Sequence, residues 1–368
     1  MDNHIGATRV RRLICKNFRC FSHLELEINA PILICEDANG SGKTSFLEAL
    51  YFACYLRSFR THLPRELVHF DQESFFLKVE LDESAPEGVN LHHEVQVGFS
   101  QGNRLARVNK HAVSSRKQIL THYRVISFTE DDLALVKGAP EARRDFLDIT
   151  LSIEREEYRS LLKSLKQIVA QRTALLTSGR CSADVYMILS KQLLHISTAI
   201  QEMRIALLEQ FNIQVNQMLA DYNAQHTVDF SYKHKQVLPL DMFESLEGCK
   251  ALFGSEVRMA RCLWGAHLDD FSIIFNSKRS KNFASRGQQK LIALLLKITH
   301  AQHLYRKQGG ALWLLDDFMT DLDDATAQHL AQRLIETNNQ LIFTAPTTNS
   351  PLMQYLLGQG AHRLSLTR

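Results

Sequence analysis

The stretch Asp37-Ala38-Asn39-Gly40-Ser41-Gly42-Lys43-Thr44 constrains this chain more than any other. It lies between a compact apolar run, Ile32-Leu33-Ile34-Cys35, and a helix-forming segment, Ser45 to Leu56. A strand buried on both faces, then a glycine-rich turn, then a helix is the setting of a phosphate-binding loop. Gly40 and Gly42 let the backbone approach phosphates and aim N–H groups at them, and the helix adds its positive N-terminal end. Lys43 is placed to reach the β- and γ-phosphates of ATP, and the Thr44 hydroxyl to ligate Mg²⁺. The pattern asks for glycine at position 37 and finds Asp37, a residue that tolerates positive φ well enough to preserve the turn. Its carboxylate near phosphates is unfavourable, so weakened ATP affinity is expected.

Two further segments complete a nucleotide site. Leu312-Trp313-Leu314-Leu315-Asp316-Asp317 is an apolar strand ending in two acids, which places carboxylates at the C-terminal edge of a sheet, where open α/β folds bind ligands. Asp316 is expected in the Mg²⁺ shell, and Asp317 to orient or deprotonate an attacking water. Ser285-Arg286-Gly287-Gln288-Gln289-Lys290 reads as a serine-capped helix start with glycine in the turn, which can also hold an anion such as a γ-phosphate.

Around these motifs the chain changes character twice. Strands are expected at Arg9–Lys16, Leu24–Ile28, Phe76–Leu81, His93–Phe99 and Val125–Phe128. From about Asp131 to Lys250 the period becomes helical: Tyr158, Leu161, Leu162, Leu165, Ile168 and Val169 share one face. Thr177-Ser178-Gly179 breaks the pattern, and Asp184 offers an N-cap for a second long helix running to about Asp221. These segments predict a helical hairpin or bundle, with too few heptads for a long coiled-coil arm. The last hundred residues return to alternating elements, with helices at Leu291–Leu304 and Ala325–Glu336 and strands at Ala311–Leu315 and Gln340–Thr344. The expected fold is α/β: one nucleotide-binding lobe from residues 1–130 and 262–368, and an inserted, mainly α-helical lobe from 131–261.

Composition removes several classes. No stretch reaches the roughly 18 to 20 apolar residues of a membrane span, and no apolar h-region follows the basic N-terminal residues, so a cytoplasmic protein is expected. Seven cysteines at irregular spacing without a CxxC pair argue against a disulfide framework or zinc site. The sixteen histidines show no HExxH spacing. A net charge of +3 does not announce a nucleic-acid binder, so DNA contact requires a local patch. Arg155, Arg159, Lys163 and Lys166 make one stripe on a helix, with Arg143 and Arg144 upstream, opposed by Glu154, Glu156 and Glu157. Such a stripe gives salt-dependent, sequence-independent phosphate contacts. Arg57 and Arg60 are further candidates for facing DNA.

An NGSGKT loop, an SxGQ helix start and a strand ending in two acids occur here in the order found in ABC-type and SMC/Rad50-like ATPases, with Asp321-Leu322-Asp323 at the D-loop position. Within that group the chain resembles the RecF family of bacterial recombination mediators. The resemblance rests on Asn17-Phe18-Arg19, Leu47-Glu48-Ala49-Leu50-Tyr51, Arg57-Ser58-Phe59-Arg60-Thr61, Lys137-Gly138-Ala139-Pro140 with Arg143-Arg144-Asp145-Phe146-Leu147-Asp148, Gly265-Ala266-His267-Leu268-Asp269-Asp270, and Ser285 to Lys290. The family usually has Pro and Arg where this chain has Ala266 and Leu268, Gly where it has Asp37, and a Pro before Asp132 that is missing here. These departures bear on the rate of hydrolysis more than on the fold. The resemblance implies ATP and Mg²⁺ as cofactors, and an ATP-dependent homodimer. In it the loop Asp37–Thr44, Asp316 and Asp317 act in cis, while Ser285, Gly287 and Gln288 act in trans. It implies slow, DNA-stimulated hydrolysis to ADP and phosphate, binding of gapped, single- and double-stranded DNA, RecO- and RecR-type partners, recombinase loading and a part in the SOS response. Two alternatives share the loop. One is a nucleotide-gated DNA scaffold with little or no hydrolysis. The other is a transporter's nucleotide-binding subunit, whose usual LSGGQ is absent.

Overall fold

In the computed structural model, the described residues are 8–84, 90–113, 123–178, 181–222, 225–239, 241–305, 311–336, 339–346 and 350–366. The strands are β1 Thr8–Phe18, β2 Phe21–Glu27, β3 Ile32–Glu36, β4 Ser74–Ser84, β5 Asn90–Ser100, β6 Asn103–Val108, β7 His111–Ala112, β8 Val125–Phe128, β9 Val228–Lys233, β10 Asp270–Phe275, β11 Lys278–Arg279, β12 Leu312–Leu315, β13 Gln340–Ala345 and β14 His362–Leu364. The chain forms two compact units, Met1–Leu133 with Arg286–Arg368, and Ala134–Ser285.

The first unit holds two sheets. One is antiparallel, ordered β2-β1-β4-β5-β6-β7, and the other is parallel, ordered β14-β3-β13-β12-β8. The parallel strands β8, β12 and β13 are buried along their whole length, as expected of strands covered on both faces. The helix Lys43–Tyr55 touches both sheets and is apolar nearly all round, because both of its sides are core. Gln340, 2% exposed, links the sheets through its side chain. Its Oε1 accepts from the Val10 N–H at 2.6 Å, and its Nε2 donates to the Val10 and Ala30 carbonyls at 3.0 and 3.1 Å.

The second unit is built on the helices Pro140–Glu154, Glu156–Thr177, Ala183–Tyr222 and Leu246–Met259, with a three-stranded sheet β11-β10-β9. Tyr158, Leu165 and Ile168 are buried on one face of Glu156–Thr177, as their spacing predicts. The long helix covers the edge of β9 with two asparagines one turn apart. Asn212 exchanges both amide bonds with Phe230, and Asn216 with Val228, so backbone groups that would otherwise be an open edge are paired.

Three expectations change. The inserted unit ends at Ser285 rather than 261, because β10 pairs with β9 residue for residue and carries the segment after 261 into that unit. It is therefore helical with a small sheet. Asp184 lies in the first turn of its helix and not at the cap, since Ser182 supplies the first accepting carbonyl, to the Tyr186 N–H. Arg155 is extended (φ −127°, ψ 118°) between two helices, so the basic stripe on the helix begins at Arg159.

Candidate nucleotide site

The loop after β3 turns on its glycines alone. Gly40 and Gly42 have φ of 82° and 107°, whereas Asp37 is not among the positive-φ residues, so the turn does not need the tolerance expected of Asp37. A Cβ on Gly42 would lie 2.5 Å from Cys20 Sγ and 2.7 Å from the Phe21 ring, which reserves that position for glycine. A Cβ on Gly40 would meet nothing within 4 Å. Asp37 Oδ1 accepts from the Ala38 N–H at 2.7 Å, so one loop donor is already taken. Lys43 is buried and its Nζ donates to the Asp37 and Ala38 carbonyls at 2.6 and 2.8 Å, folding the ammonium back along the loop. Ser41 Oγ is buried without a hydrogen-bond partner.

The loop meets the acid-terminated strand at one point. Thr44 Oγ1 donates to Asp316 Oδ2 at 2.8 Å, across 272 positions of sequence. Asp316 Oδ1 accepts from Thr344 Oγ1 at 2.7 Å, and the same hydroxyl accepts from the Asp317 N–H at 2.9 Å. Burial pushes the Asp316 carboxyl above its ordinary range, partly countered by the bonds from Thr344 and Thr44 and by the charge of Arg60. Asp317 is exposed and left-handed, with φ 45°. Thr44, Asp316, the orphaned Ser41 hydroxyl and the loop amides suit Mg²⁺ and a phosphate chain: a hydroxyl and a carboxylate for the metal, donors for the anion.

Ser285 directly precedes the helix Arg286–Tyr305, which carries Gly287, Gln288 and Lys290. Arg286 Nε donates to Asp321 Oδ2 at 2.7 Å, and its Nη2 lies 3.0 Å from Glu130 Oε1. Lys290 is buried against the turn after Asp317. Glu130, Arg286, Lys290, Asp316, Asp317 and Thr320 line a cleft of about 150 Å³. That is below the several hundred Å³ of an ordinary ligand pocket. Asp323 caps the helix Asp324–Ile335 by accepting from the Thr326 N–H at 3.0 Å, a structural duty within the D-loop segment.

Two sequence segments converge behind the loop on Glu48, which is fully buried in the helix Lys43–Tyr55. Arg19 binds it bidentately at 2.8 and 2.7 Å, Ser58 Oγ donates to it, and Arg60 Nη1 lies 3.5 Å away. Sequence reasoning did not assign roles to Glu48, Arg19, Thr344 or Lys290. Thr347 and Thr348, which follow β13, lie outside the described residues.

The basic candidates divide. Arg143 is 6% exposed and donates to both Asp270 carboxylate oxygens at 2.7 and 2.9 Å, and Arg144 Nη1 donates to the Asp269 carbonyl at 2.8 Å. Arg143 is thereby taken up inside the second unit, while Arg144 is half-buried beside Asp269. Asp269 likewise accepts from Gln201, Tyr232 and the Lys235 N–H, which gives the Gly265–Asp270 segment a packing role. Arg155 and Arg159 lie 3.7 Å from Glu154 and Glu156, while Lys163 and Lys166 are exposed. Arg57 is half-buried and Arg60 is exposed beside Glu48.

The family described as RecF/RecN/SMC N terminal domain matches residues 9–355. The DNA replication and repair protein RecF of Lactobacillus johnsonii is 30% identical over 321 residues, covering 84% of each chain. The chain belongs to the RecF family. RecF of Acholeplasma laidlawii is 28% identical over 89% of this chain and 91% of its own, and RecF of Streptococcus pyogenes 27% identical over 98% and 97%. The solved structure of the recombination mediator protein RecF with ATP, in the RecFOR pathway, superposes with a TM-score of 0.76 at 23% identity, covering 95% of both chains. The Smc head domain of Pyrococcus furiosus superposes with a TM-score of 0.58 at 14% identity over 98% of this chain and 94% of that one. At these identities the two structures speak to the fold alone. No helix among the described residues is long and apolar enough to cross a membrane.

Proposed function

We propose that this protein is a cytoplasmic, ATP-gated DNA-binding protein of replication and repair. It works as a homodimer that closes over ATP and grips gapped DNA, in company with RecO- and RecR-type mediators, to promote recombinase loading. The observation that carries the reading is the 2.8 Å bond from Thr44 to Asp316, which puts the two expected Mg²⁺ ligands side by side at the mouth of a glycine loop. Bound Mg²⁺ would neutralise phosphate charge there. Lys43 would exchange the Asp37 and Ala38 carbonyls for phosphate oxygens. Asp317 would take the proton of the water that attacks the γ-phosphorus as the bond to ADP breaks.

The dimer is supported by what one subunit lacks. The Gly40 side of the loop is open, which leaves room for a second wall from another subunit. In the RecF arrangement that wall is Ser285, Gly287 and Gln288 of a second copy. Loss of the γ-phosphate then loosens the pair, as in other nucleotide switches. A second reading, a scaffold that hydrolyses little, is favoured by Asp37. Its carboxylate sits where phosphates are expected and occupies the Ala38 N–H.

Steady-state phosphate release with wild type, Lys43→Met and Asp317→Asn tests the reading. Slow turnover, a loss of roughly 100-fold in each variant, and ATP binding retained only in Asp317→Asn are expected. Absence of turnover in wild type with ATP binding intact would leave the scaffold.

A further inference from the structure

We infer that Lys290 is a positioning residue for hydrolysis: its buried ammonium holds the Asp317–Thr320 turn so that the Asp317 carboxylate faces the reacting water. The inference rests on the proposed ATPase activity.

Asp317 adopts φ 45°, a left-handed conformation that costs a non-glycine residue energy and persists only when its surroundings enforce it. Its N–H is fixed by Thr344 Oγ1. Its carbonyl accepts from Lys290 Nζ at 2.7 Å, from Thr320 Oγ1 at 2.8 Å and from the Thr320 N–H at 3.1 Å. Lys290 Nζ donates in addition to the Thr320 carbonyl at 2.7 Å and hydroxyl at 2.9 Å. The three acceptors of this ammonium, the Asp317 carbonyl and the Thr320 carbonyl and hydroxyl, therefore belong to the two ends of one four-residue turn.

Lysine is almost never this buried without a reason. Lys290 is 3% exposed, and burial pulls its pKa down against the charges of Asp321, Asp317 and Glu130. A buried charge is tolerated only when it is well hydrogen-bonded. A serine or asparagine at this helix position could not span to both carbonyls, and a hydrophobic residue would pack without binding either. With the ammonium removed, the Asp317 carbonyl loses one donor and Thr320 loses the group that ties its backbone to the helix. The left-handed residue is then free to relax, and displacement of a catalytic group by about 1 Å is enough to cost roughly 100-fold in rate.

The same first turn is anchored to the D-loop twice more, by the Arg286–Asp321 pair and by Gly287 lying against the Asp321 carbonyl. Lys290 differs from those contacts in reaching the residue expected to do chemistry.

The test is a double-mutant cycle of phosphate release with Lys290→Met, Asp317→Asn and the double variant, together with equilibrium ATP binding. Lys290→Met is expected to lower kcat by roughly 100-fold with ATP affinity within about twofold of wild type, and to have no further effect once Asp317 is Asn. Lys290→Arg, which can still donate to both carbonyls, is expected to restore much of the rate. Thr320→Val, which removes the shared hydroxyl and disturbs the fold less, is expected to move kcat in the same direction by a smaller factor, and it decides the matter if Lys290→Met does not fold. A full rate in Lys290→Met or, failing that variant, in Thr320→Val overturns the inference, as does an equal loss in the Asp317→Asn background. Equal turnover in wild type and Asp317→Asn would instead remove Asp317 as the catalytic group, and the inference with it, while absence of turnover in wild type would remove the hydrolytic reading itself.

Discussion

A methyl group on Gly287 would lie 2.3 Å from the Asp321 carbonyl oxygen, a distance real Cβ atoms do not tolerate. The glycine expected to meet a partner's nucleotide thus has a duty within its own subunit. Gly287→Ala is expected to destabilise the nucleotide-free protein by about 1–3 kcal/mol, because the oxygen it meets is backbone and cannot swing aside. Chemical denaturation without ATP measures this; an unchanged midpoint would confine Gly287 to a role in trans. Residues of this kind mark the limit of what sequence discloses. Gly40, Gly42, Lys43 and Thr44 were legible because their spacing encodes the turn itself. Lys290 and Thr344 were not, since their partners lie 27 to 30 positions away and a lysine in an apolar helix carries no local mark of its target. Arg143 shows the same limit: an arginine looks alike in sequence whether it faces solvent or Asp270.

At the scale of elements, most of the fold followed from period and punctuation. β8 and the helix Lys43–Tyr55 fall close to where apolar runs and glycines place them. The inserted unit's small sheet was missed because β9 and β10 pair across some forty positions, and their edge is closed by Asn212 and Asn216 from a helix whose pattern looks merely amphipathic. The helix Glu156–Thr177 still carries two exposed lysines without a carboxylate partner among the described residues, Lys163 and Lys166. If they contact phosphates, Lys163→Ala/Lys166→Ala weakens DNA binding on every sequence and lowers the slope of log affinity against log salt by about 2. An unchanged slope would make the stripe a solvated face.

At the scale of the whole molecule, the proposed function makes the loop Asp37–Thr44 and the acids at the end of β12 control the grip on DNA through closure of a dimer. Thr44 and Asp316 are joined in the first unit, and the exposed lysines belong to the second. Equilibrium binding to gapped DNA with ATP, without ATP, and with Lys43→Met in ATP reads that control directly. Tight binding is expected only for wild type with ATP, with at least about tenfold weaker binding in the other two conditions, equivalent to about 1.4 kcal/mol or more. Equal affinity in all three would contradict it, leaving a DNA binder whose nucleotide serves another purpose.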